Sequence, residues 1–456
     1  MTAQTILPAN TLSGGYDVAN SLRFNDGSSD SLNRENTSSG SRKVFTFSCW
    51  FKKSTLGSAS DDQMIFSSYD GSNGIFIQID SNDLLQIYSK VGGTVKLNVR
   101  SQMVFRDTSA WYHLVVKFDS NNTNLDLYVN GEEISQTVVE SFVDADHEIN
   151  ESGGTHYIGT KPSDRLWDGY MAEVCFIDGT ALDETSFGEF DEDSPTIWKP
   201  KDVSGLTFGT NGFYLEFKQS GTSQNSSGLG ADTSGQDNHF AVNNLTAGDQ
   251  STDTCTNNFA TLNSLENFYP AATISEGNLK AVTVTAKYTF LRSTIGVSSG
   301  KWYMEVKCTA QSGSTNKWTF GITDHASTGT QNYIGQNSNS YGWRGNANEI
   351  FYNGTSADYG SGAMATGNII GIALDLDNNK MYFSINGTFK NSGDPAGNSN
   401  GFSINAPNGF YHFAFGDIDG DQNFTYETNF GSPSFAISSG NTDGNGYGNF
   451  EYAVPS

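Results

Sequence analysis

Residues 113–134 read HLVVKFDSNNTNLDLYVNGEEI. Two runs with alternating apolar positions, 113–118 and 125–129, flank the polar stretch DSNNTN, and Asn130-Gly131 follows the second run. A period of two is what a strand with one buried face requires. A short polar stretch between two such runs makes a hairpin, and Asn-Gly supplies the positive φ of a second tight turn. Outward from this hairpin, VFTFSCWF (44–51), IFIQID (75–80), LLQIY (84–88) and MAEVCFI (171–177) read as further short strands bounded by Gly, Asn, Asp or Ser. Sequences of this kind build a sandwich of two antiparallel sheets.

The composition points the same way. The 456 residues include 50 glycines, 31 Phe and 20 Tyr, and only 16% are charged, against about 25% in ordinary soluble proteins. Polarity comes from Asn, Ser, Thr and Gly, which populate turns, while aromatic and β-branched residues populate strands. Helical bundles and coiled coils are excluded. Lys and Arg number 25 against 50 Asp and Glu, for a net charge of −25. Residues 140–194 hold fifteen acids and two bases, Lys161 and Arg165, as expected of solvated loops and a rim. Without a basic cluster the chain has no footprint for nucleic acid or anionic lipid. No apolar run approaches the ~20 residues of a membrane span. MTAQTILPANTLSGG lacks the basic and apolar regions of a signal peptide, so export by that route is not expected. Cys49, Cys175, Cys255 and Cys308 stand singly, which supports neither a zinc site nor a disulfide framework. Cys49 and Cys175 fall inside apolar strands as small hydrophobes.

Beyond an N-terminal extension (1–15) and a first sandwich (16–194), residues 195–277 are polar, with one clear strand at Phe213–Phe217, and are expected to form an ordered bridging segment. The strand pattern returns over 278–435 in AVTVTAKYTF, KWYMEVKC, KWTFGIT, EIFYN, IIGIALDL, KMYFSI, FYHFAFGD and FTYETNFG, with Asp377-Asn378-Asn379 as a tight turn. A C-terminal tail (436–456) follows. The fold class is all-β: two antiparallel jelly-roll sandwiches joined by an ordered linker. The halves do not repeat each other at a fixed period, which excludes a solenoid or propeller.

The first half resembles a concanavalin A-like, laminin-G-type lectin domain. The residues that carry this are NSLRFNDGSSDSLNR leading into FTFSCWFKK, WYHLVVKFDSNNTNLDLYVNGEEI, and IGTKPSDRLWDGYMAEVCFIDGTALDETSF. The second half resembles a SPRY domain through GKWYMEVKC, WTFGITD, YGWRGN, GNIIGIALDLDNNKMYFSINGTF and the NFG at 429–431. The pairing, with TNNFATLNSLENFYPAATISEGNLK between, resembles virion structural proteins of tailed bacteriophages, marine ones in particular. That resemblance implies a non-enzymatic tail-fibre, head-fibre or capsid-decorating protein. It would assemble in the host cytoplasm beside capsid, portal or tail proteins, as a homotrimer, and recognise a host-surface glycan. The alternatives are a decoration or assembly protein without a glycan ligand, a polysaccharide-degrading hydrolase, and a cellular adhesin or interaction protein. The departure is the short segment before the first domain, which offers no trimerising shaft.

For sugar recognition, exposed aromatic faces beside polar groups are required. Tyr333, Tyr341, Trp343, Arg344, Tyr352 and Tyr359 are interleaved with Asn and Gly. In SPRY domains, loops around this region contribute to the ligand surface, so Tyr333, Tyr341, Trp343, Arg344 and Tyr359 are candidate binding residues, although the aromatic of the Trp343 motif is often core. In the first domain, Tyr69-Asp70 and the stretch from His156 to Trp167 could line a rim, with His156 and Trp167 as candidates. Trp50, Trp111, Trp302 and Trp318 are assigned to cores.

A retaining glucanase needs two carboxylates about 5–5.5 Å apart, and the nearest candidate is Glu189-Phe190-Asp191-Glu192-Asp193. GVSSG (296–300) fits a nucleophile pattern but precedes a strand instead of opening a helix. The six histidines show no paired spacing. No cofactor is expected; a calcium ion at Asp417-Ile-Asp-Gly-Asp-Gln-Asn423 is the alternative to a hairpin turn there. An EF-hand loop would need Gly and Glu where counting from Asp417 gives Gln422 and Thr428.

Overall fold

Strands Tyr112–Asp119 and Asn124–Val129 pair antiparallel with Leu114 opposite Val129. The Asp119 carboxylate accepts the Asn121 N–H, and Thr123 at φ 48° closes the connection. Asn130 and Gly131, at φ 51° and 81°, then turn the chain into Glu132–Glu133. This is the hairpin of 113–134. The computed structural model describes residues 15–57, 62–162, 164–267, 271–285, 288–325, 333–418 and 420–455. One compact unit ends at Asn258 and a second begins at Phe259.

In chain order the strands of the first unit are β1 (Ser21–Phe24), β2 (Ser31–Glu35), β3 (Val44–Lys53), β4 (Gln63–Tyr69), β5 (Gly74–Ile79), β6 (Leu84–Val91), β7 (Thr94–Val104), β8 (Tyr112–Asp119), β9 (Asn124–Val129), β10 (Glu132–Glu133), β11 (Gln136–Phe142), β12 (Thr155–Ile158), β13 (Thr160–Lys161), β14 (Asp164–Leu166), β15 (Gly169–Asp178), β16 (Gly188–Phe190), β17 (Trp198–Pro200), β18 (Phe213–Leu215), β19 (Ala241–Asn243) and β20 (Gln250–Ser251). One sheet runs β10-β9-β8-β3-β15-β1-β20, with β18 also on β15; the other runs β11-β7-β6-β5-β4-β12-β2-β19. The facing sides meet in one core, where Phe45, Phe47, Phe51, Leu114 and Val116 pack with Ile65, Ile75, Ile77, Ile87, Leu97 and Val99. Each such side chain contributes roughly 1.5–3 kcal/mol on burial. Cys49 and Cys175 are buried free thiols, and burial pushes both thiol pKa values up.

Residues 195–258 do not form a bridge between two sandwiches. They complete the first one, because β18 pairs β15, β19 pairs β2 and β20 pairs β1. Phe213, Leu215, Phe217, Leu229, Phe240 and Leu245 enter its core. The polar residues between them are ordered by side-chain bonds to backbone: Asp232 accepts N–H groups from Tyr214, Ser234 and Asn238. Strands of two or three residues are too short to show alternation, so this contribution is invisible as a pattern.

The second unit also has two antiparallel sheets. One runs Thr273–Ser275, Lys280–Val282, Phe424–Asn429, Lys301–Gln311, Ile369–Asp375, Lys380–Ile385 and Thr388–Phe389. The other runs Phe290–Val297, Tyr411–Asp417, Trp318–Thr323, Ser340–Arg344, Glu349–Tyr352 and Thr355–Asp358. Met304, Val306, Ile370, Ile372 and Phe383 meet Trp318, Phe320, Trp343, Phe413 and Phe415 in its core. Asp375 accepts the Asn378 N–H and Asn379 sits at φ 53°, which makes the tight turn at 377–379. Residues 259–277 belong to this unit, with Ala260, Leu262 and Ala272 in the core. The segment after 435 is anchored by Phe450, buried against Tyr303 at 5.3 Å. Trp50, Trp111 and Trp318 are buried, and Trp302 is half-buried, packed against the core of the second unit.

Candidate functional site

On β5, β6 and β7 the inward positions are Ile75, Ile77 and Ile79, Leu85 and Ile87, and Leu97 and Val99. Alternation therefore puts Phe76, Gln78, Gln86, Tyr88, Lys90, Asn98 and Arg100 on the outer face of the sheet. The register aligns them. Asn98 lies opposite Tyr88, Tyr88 opposite Phe76, Phe76 opposite Ser67, and Ser67 opposite Tyr157. Ser67 is small and turns its hydroxyl into the Thr160 carbonyl at 2.8 Å, leaving the row open at its middle.

The rings of Phe76 and Tyr88 stack at 5.9 Å and 27°, and the Tyr69 ring leans on Phe76 at 5.9 Å. Beside this shelf runs an amide ladder. Gln78 Nε2 donates to Gln86 Oε1 at 2.7 Å, and Gln86 Nε2 donates to Asn98 Oδ1 at 2.8 Å. The β13–β14 hairpin closes one side with Lys161, whose ammonium lies 5.1 Å from the Tyr69 ring centroid, and with Arg165, which donates to Gln78 Oε1 at 2.9 Å. The hollow so formed has a volume of about 410 Å³, the size of a small-molecule site. Burial and the nearby Glu140 raise the Tyr88 phenol pKa, so the phenol stays neutral. A second hollow of about 400 Å³ on the same face includes Asn33, Tyr157, Thr160, Leu166 and Asn243. An aromatic shelf flanked by fixed amides can hold a ring that has one apolar face and a polar rim.

Of the residues singled out from sequence, Tyr69 lines the first hollow, as do Lys161 and Arg165 from the stretch 156–167. His156 and Trp167 do not. His156 is fully buried, edge-on to Phe66 at 5.3 Å and within 3.3 Å of the Asn36 amide, and burial pushes its pKa down to about 3. Trp167 is fully buried, edge-on to Phe51 at 5.6 Å. On β12 the outward side chain is the next one, Tyr157. Phe76, Gln78, Gln86, Tyr88, Lys90 and Arg100 escaped notice, although Val95-Leu97-Val99 alternating with Lys96-Asn98-Arg100 is a readable strand.

In the second unit, Tyr341 and Tyr359 are buried instead of exposed on Gly- and Asn-rich loops, and Trp343 is a core residue. Tyr341 and Trp343 lie in the strand Ser340–Arg344; Trp343 packs on Phe383 at 5.2 Å, and the Tyr359 hydroxyl accepts the Phe383 N–H. Tyr341 stacks on Tyr352 at 6.2 Å and its hydroxyl accepts the Asn405 N–H. With Ser338, Asn339, Asn353 and Ser403 these residues line a hollow of about 180 Å³. Arg344 lies over Phe351 at 4.0 Å and Tyr333 is edge-on to Phe351 at 6.3 Å, so these two half-buried candidates share one patch.

The carboxylates at 189–193 hold a turn. Asp191 accepts the N–H groups of Asp193 and Ser194, and Lys199 lies 3.4 Å from Glu189 and 3.5 Å from Asp191. After GVSSG the chain enters the strand Lys301–Gln311, not a helix. Asp419 of the candidate calcium loop lies outside the described residues, as do 1–14 of the N-terminal extension. Among the described residues no group of three or more His, Cys, Asp or Glu is placed to hold a metal.

Residues 26–185 match the family model described as the concanavalin A-like lectin/glucanases superfamily, and residues 301–396 match the SPRY domain model. One concanavalin A-like domain and one SPRY domain are present. Among solved structures, the chain is similar to a native heptameric SAP-like pentraxin from Limulus polyphemus (17% identity, 37% of this chain and 80% of that one, TM-score 0.29). It is also similar to the SPRY domain of human HERC1 (11% identity, 34% and 91%, TM-score 0.28). A third is a candidate carbohydrate-binding protein from Bacteroides ovatus (16% identity, 50% and 59%, TM-score 0.35). Among curated proteins no match is found. The shelf of Tyr69, Phe76 and Tyr88 lies within the concanavalin A-like domain.

Proposed function

We propose that this chain is a non-catalytic carbohydrate-binding protein and that the outer face of β4–β7 is its sugar site. The observation that carries this is the shelf of Tyr69, Phe76 and Tyr88 beside the Gln78–Gln86–Asn98 ladder. Ring faces stack on the apolar face of a pyranose while fixed amides bond its hydroxyls. The concanavalin A-like match over the same residues supports the reading. Binding is favoured over hydrolysis because Asp62 is the sole carboxylate of the hollow among the described residues, and glycoside cleavage needs a pair. Titrating the full chain against an oligosaccharide array tests it: Tyr88→Ala is expected to weaken binding about tenfold or more with the fold intact, and an unchanged affinity would refute it.

The order of the two domains and the sequence of residues 256–280 between their core motifs support a finer proposal, a homotrimeric appendage on the head or tail of a bacteriophage particle, in contact with other virion proteins and a host-surface glycan. Repetition on a particle would raise the avidity of modest sites. Immunogold labelling of intact particles with antibodies to residues 16–190 and 278–435 tests this; label on tail fibres or on the head supports it, and unlabelled particles refute it.

A further inference from the structure

The lining of the groove on β4–β7 carries more cations than acids, against the balance of the chain, although acids stand around it and Glu140 lies near Tyr88. The protein has 25 Lys+Arg against 50 Asp+Glu, yet the groove is lined by Lys90, Arg100, Lys161 and Arg165 with the single acid Asp62. Acids meet three of the four cations: Arg100 lies 3.0 Å from Asp80, Arg165 3.3 Å from Asp62 and Lys161 2.7 Å from Asp164. Lys90 is half-exposed and makes no ion pair among the described residues. It stands two residues beyond Tyr88 on the same face of β6, while Arg100 lies opposite Gln86, two residues before Tyr88. The two cations thus stand on either side of Tyr88, four residues or about 13 Å apart along the strand, with Lys90 level with Gly74 and Tyr69.

Resting on the carbohydrate reading above, we propose that the sugar taken here is acidic. A polysaccharide bearing carboxylate or sulfate groups lays a ring on Tyr88 and Phe76, with its anionic groups met by Lys90 at one end and the Arg100 guanidinium at the other. Charge-assisted bonds to an anion are stronger than neutral ones, and the guanidinium offers paired donors. A neutral sugar would leave Lys90 facing water. The spacing favours acid groups repeated along a chain over one free anion, which could meet only one end. The repulsion from the net charge of −25 is screened over about 8 Å at physiological ionic strength, so contacts inside the groove decide the preference.

The test is calorimetric titration of the full chain with an oligouronate hexamer, a sulfated hexasaccharide, an uncharged hexasaccharide and a single-stranded oligonucleotide. At least one acidic hexamer is expected to bind about tenfold more tightly than the uncharged one, and which of the two does so separates carboxylate from sulfate. Lys90→Ala and Lys90→Gln are both expected to lower the affinity for the acidic hexamer about tenfold, and Tyr88→Ala to weaken every sugar. Equal affinity for acidic and uncharged hexamers, both lost in Tyr88→Ala, would overturn the acidic preference and leave the carbohydrate reading standing. Absence of binding to any hexamer would overturn both, and tighter binding of the oligonucleotide would replace the acidic sugar with a nucleic acid.

Discussion

Glu173 sits at φ 51° where the β15–β3 register shifts between Ala172 and Cys175. That bulge turns its carboxyl into a buried site. The Tyr214 hydroxyl donates to it, and the Tyr16 hydroxyl lies 3.0 Å from that of Tyr214. Burial raises the Glu173 pKa from 4.5 to about 7, with Glu216 adding to the shift and Tyr214 and Lys218 opposing it. The folded unit therefore holds a proton that the unfolded chain gives up near 4.5. The stability this contributes is present at pH 4 and lost as the pH rises to about 7. At 1.36 kcal/mol per tenfold in proton affinity, moving a carboxyl from 4.5 to about 7 makes the charged form cost about 3 kcal/mol at pH 8. Glu173→Gln keeps the shape and an acceptor for Tyr214 but cannot ionise. Calorimetric melting of the full chain at pH 5 and at pH 8 is the assay. The variant is expected to exceed the parent by under about 1 kcal/mol at pH 5 and by about 3 kcal/mol at pH 8, which at 2–4 °C per kcal/mol for a domain this size is several degrees. A melting difference that is the same at both pH values, or a variant less stable at pH 8, would refute a buried protonated carboxyl.

Removing Asp83, whose buried carboxylate takes Lys53 at 2.7 Å, the Gly57 N–H at 2.7 Å and Arg106 at 3.1 Å, strands the Lys53 ammonium; Asp83→Ala is expected to cost about 3–5 kcal/mol in urea unfolding. Glu305 is buried and accepts the N–H groups of Glu451 at 3.0 Å and Tyr452 at 2.8 Å. Glu305→Ala is expected to release the segment after 435, so that limited proteolysis trims it while the two sheets stay resistant. Tyr88→Ala is expected to lower sugar affinity about tenfold with a melting temperature within about 2 °C of the parent, as checked by titration and calorimetry on the same sample.

The two-sandwich fold was legible because several of its strands alternate or are apolar throughout: 44–51, 113–118, 125–129 and 171–177 all fall on strands of one sheet. The site was half legible. IFIQID and LLQIY hold Phe76, Gln78, Gln86 and Tyr88, but a strand pattern does not say which outward residues become neighbours; the register does. His156 was misplaced by one residue, and a one-residue step on a strand exchanges core for solvent. Tyr341 and Tyr359 read as surface residues because Gly and Asn surround them. Gly342 instead serves close packing, since a Cβ there would fall 2.7 Å from the Thr319 methyl and 2.8 Å from Ile334. The segment 195–258 hides its role because β18, β19 and β20 are two or three residues long and polar loops join them.

The most direct measurement is a crystal structure of the full chain grown with a bound oligosaccharide from the titration panel. Sugar density stacked over Phe76 and Tyr88, with hydroxyls within hydrogen-bond distance of Gln78, Gln86 or Asn98, is the expected result. Sugar bound elsewhere, as in the hollow between Asn339 and Asn405, with the β4–β7 face empty, would contradict it.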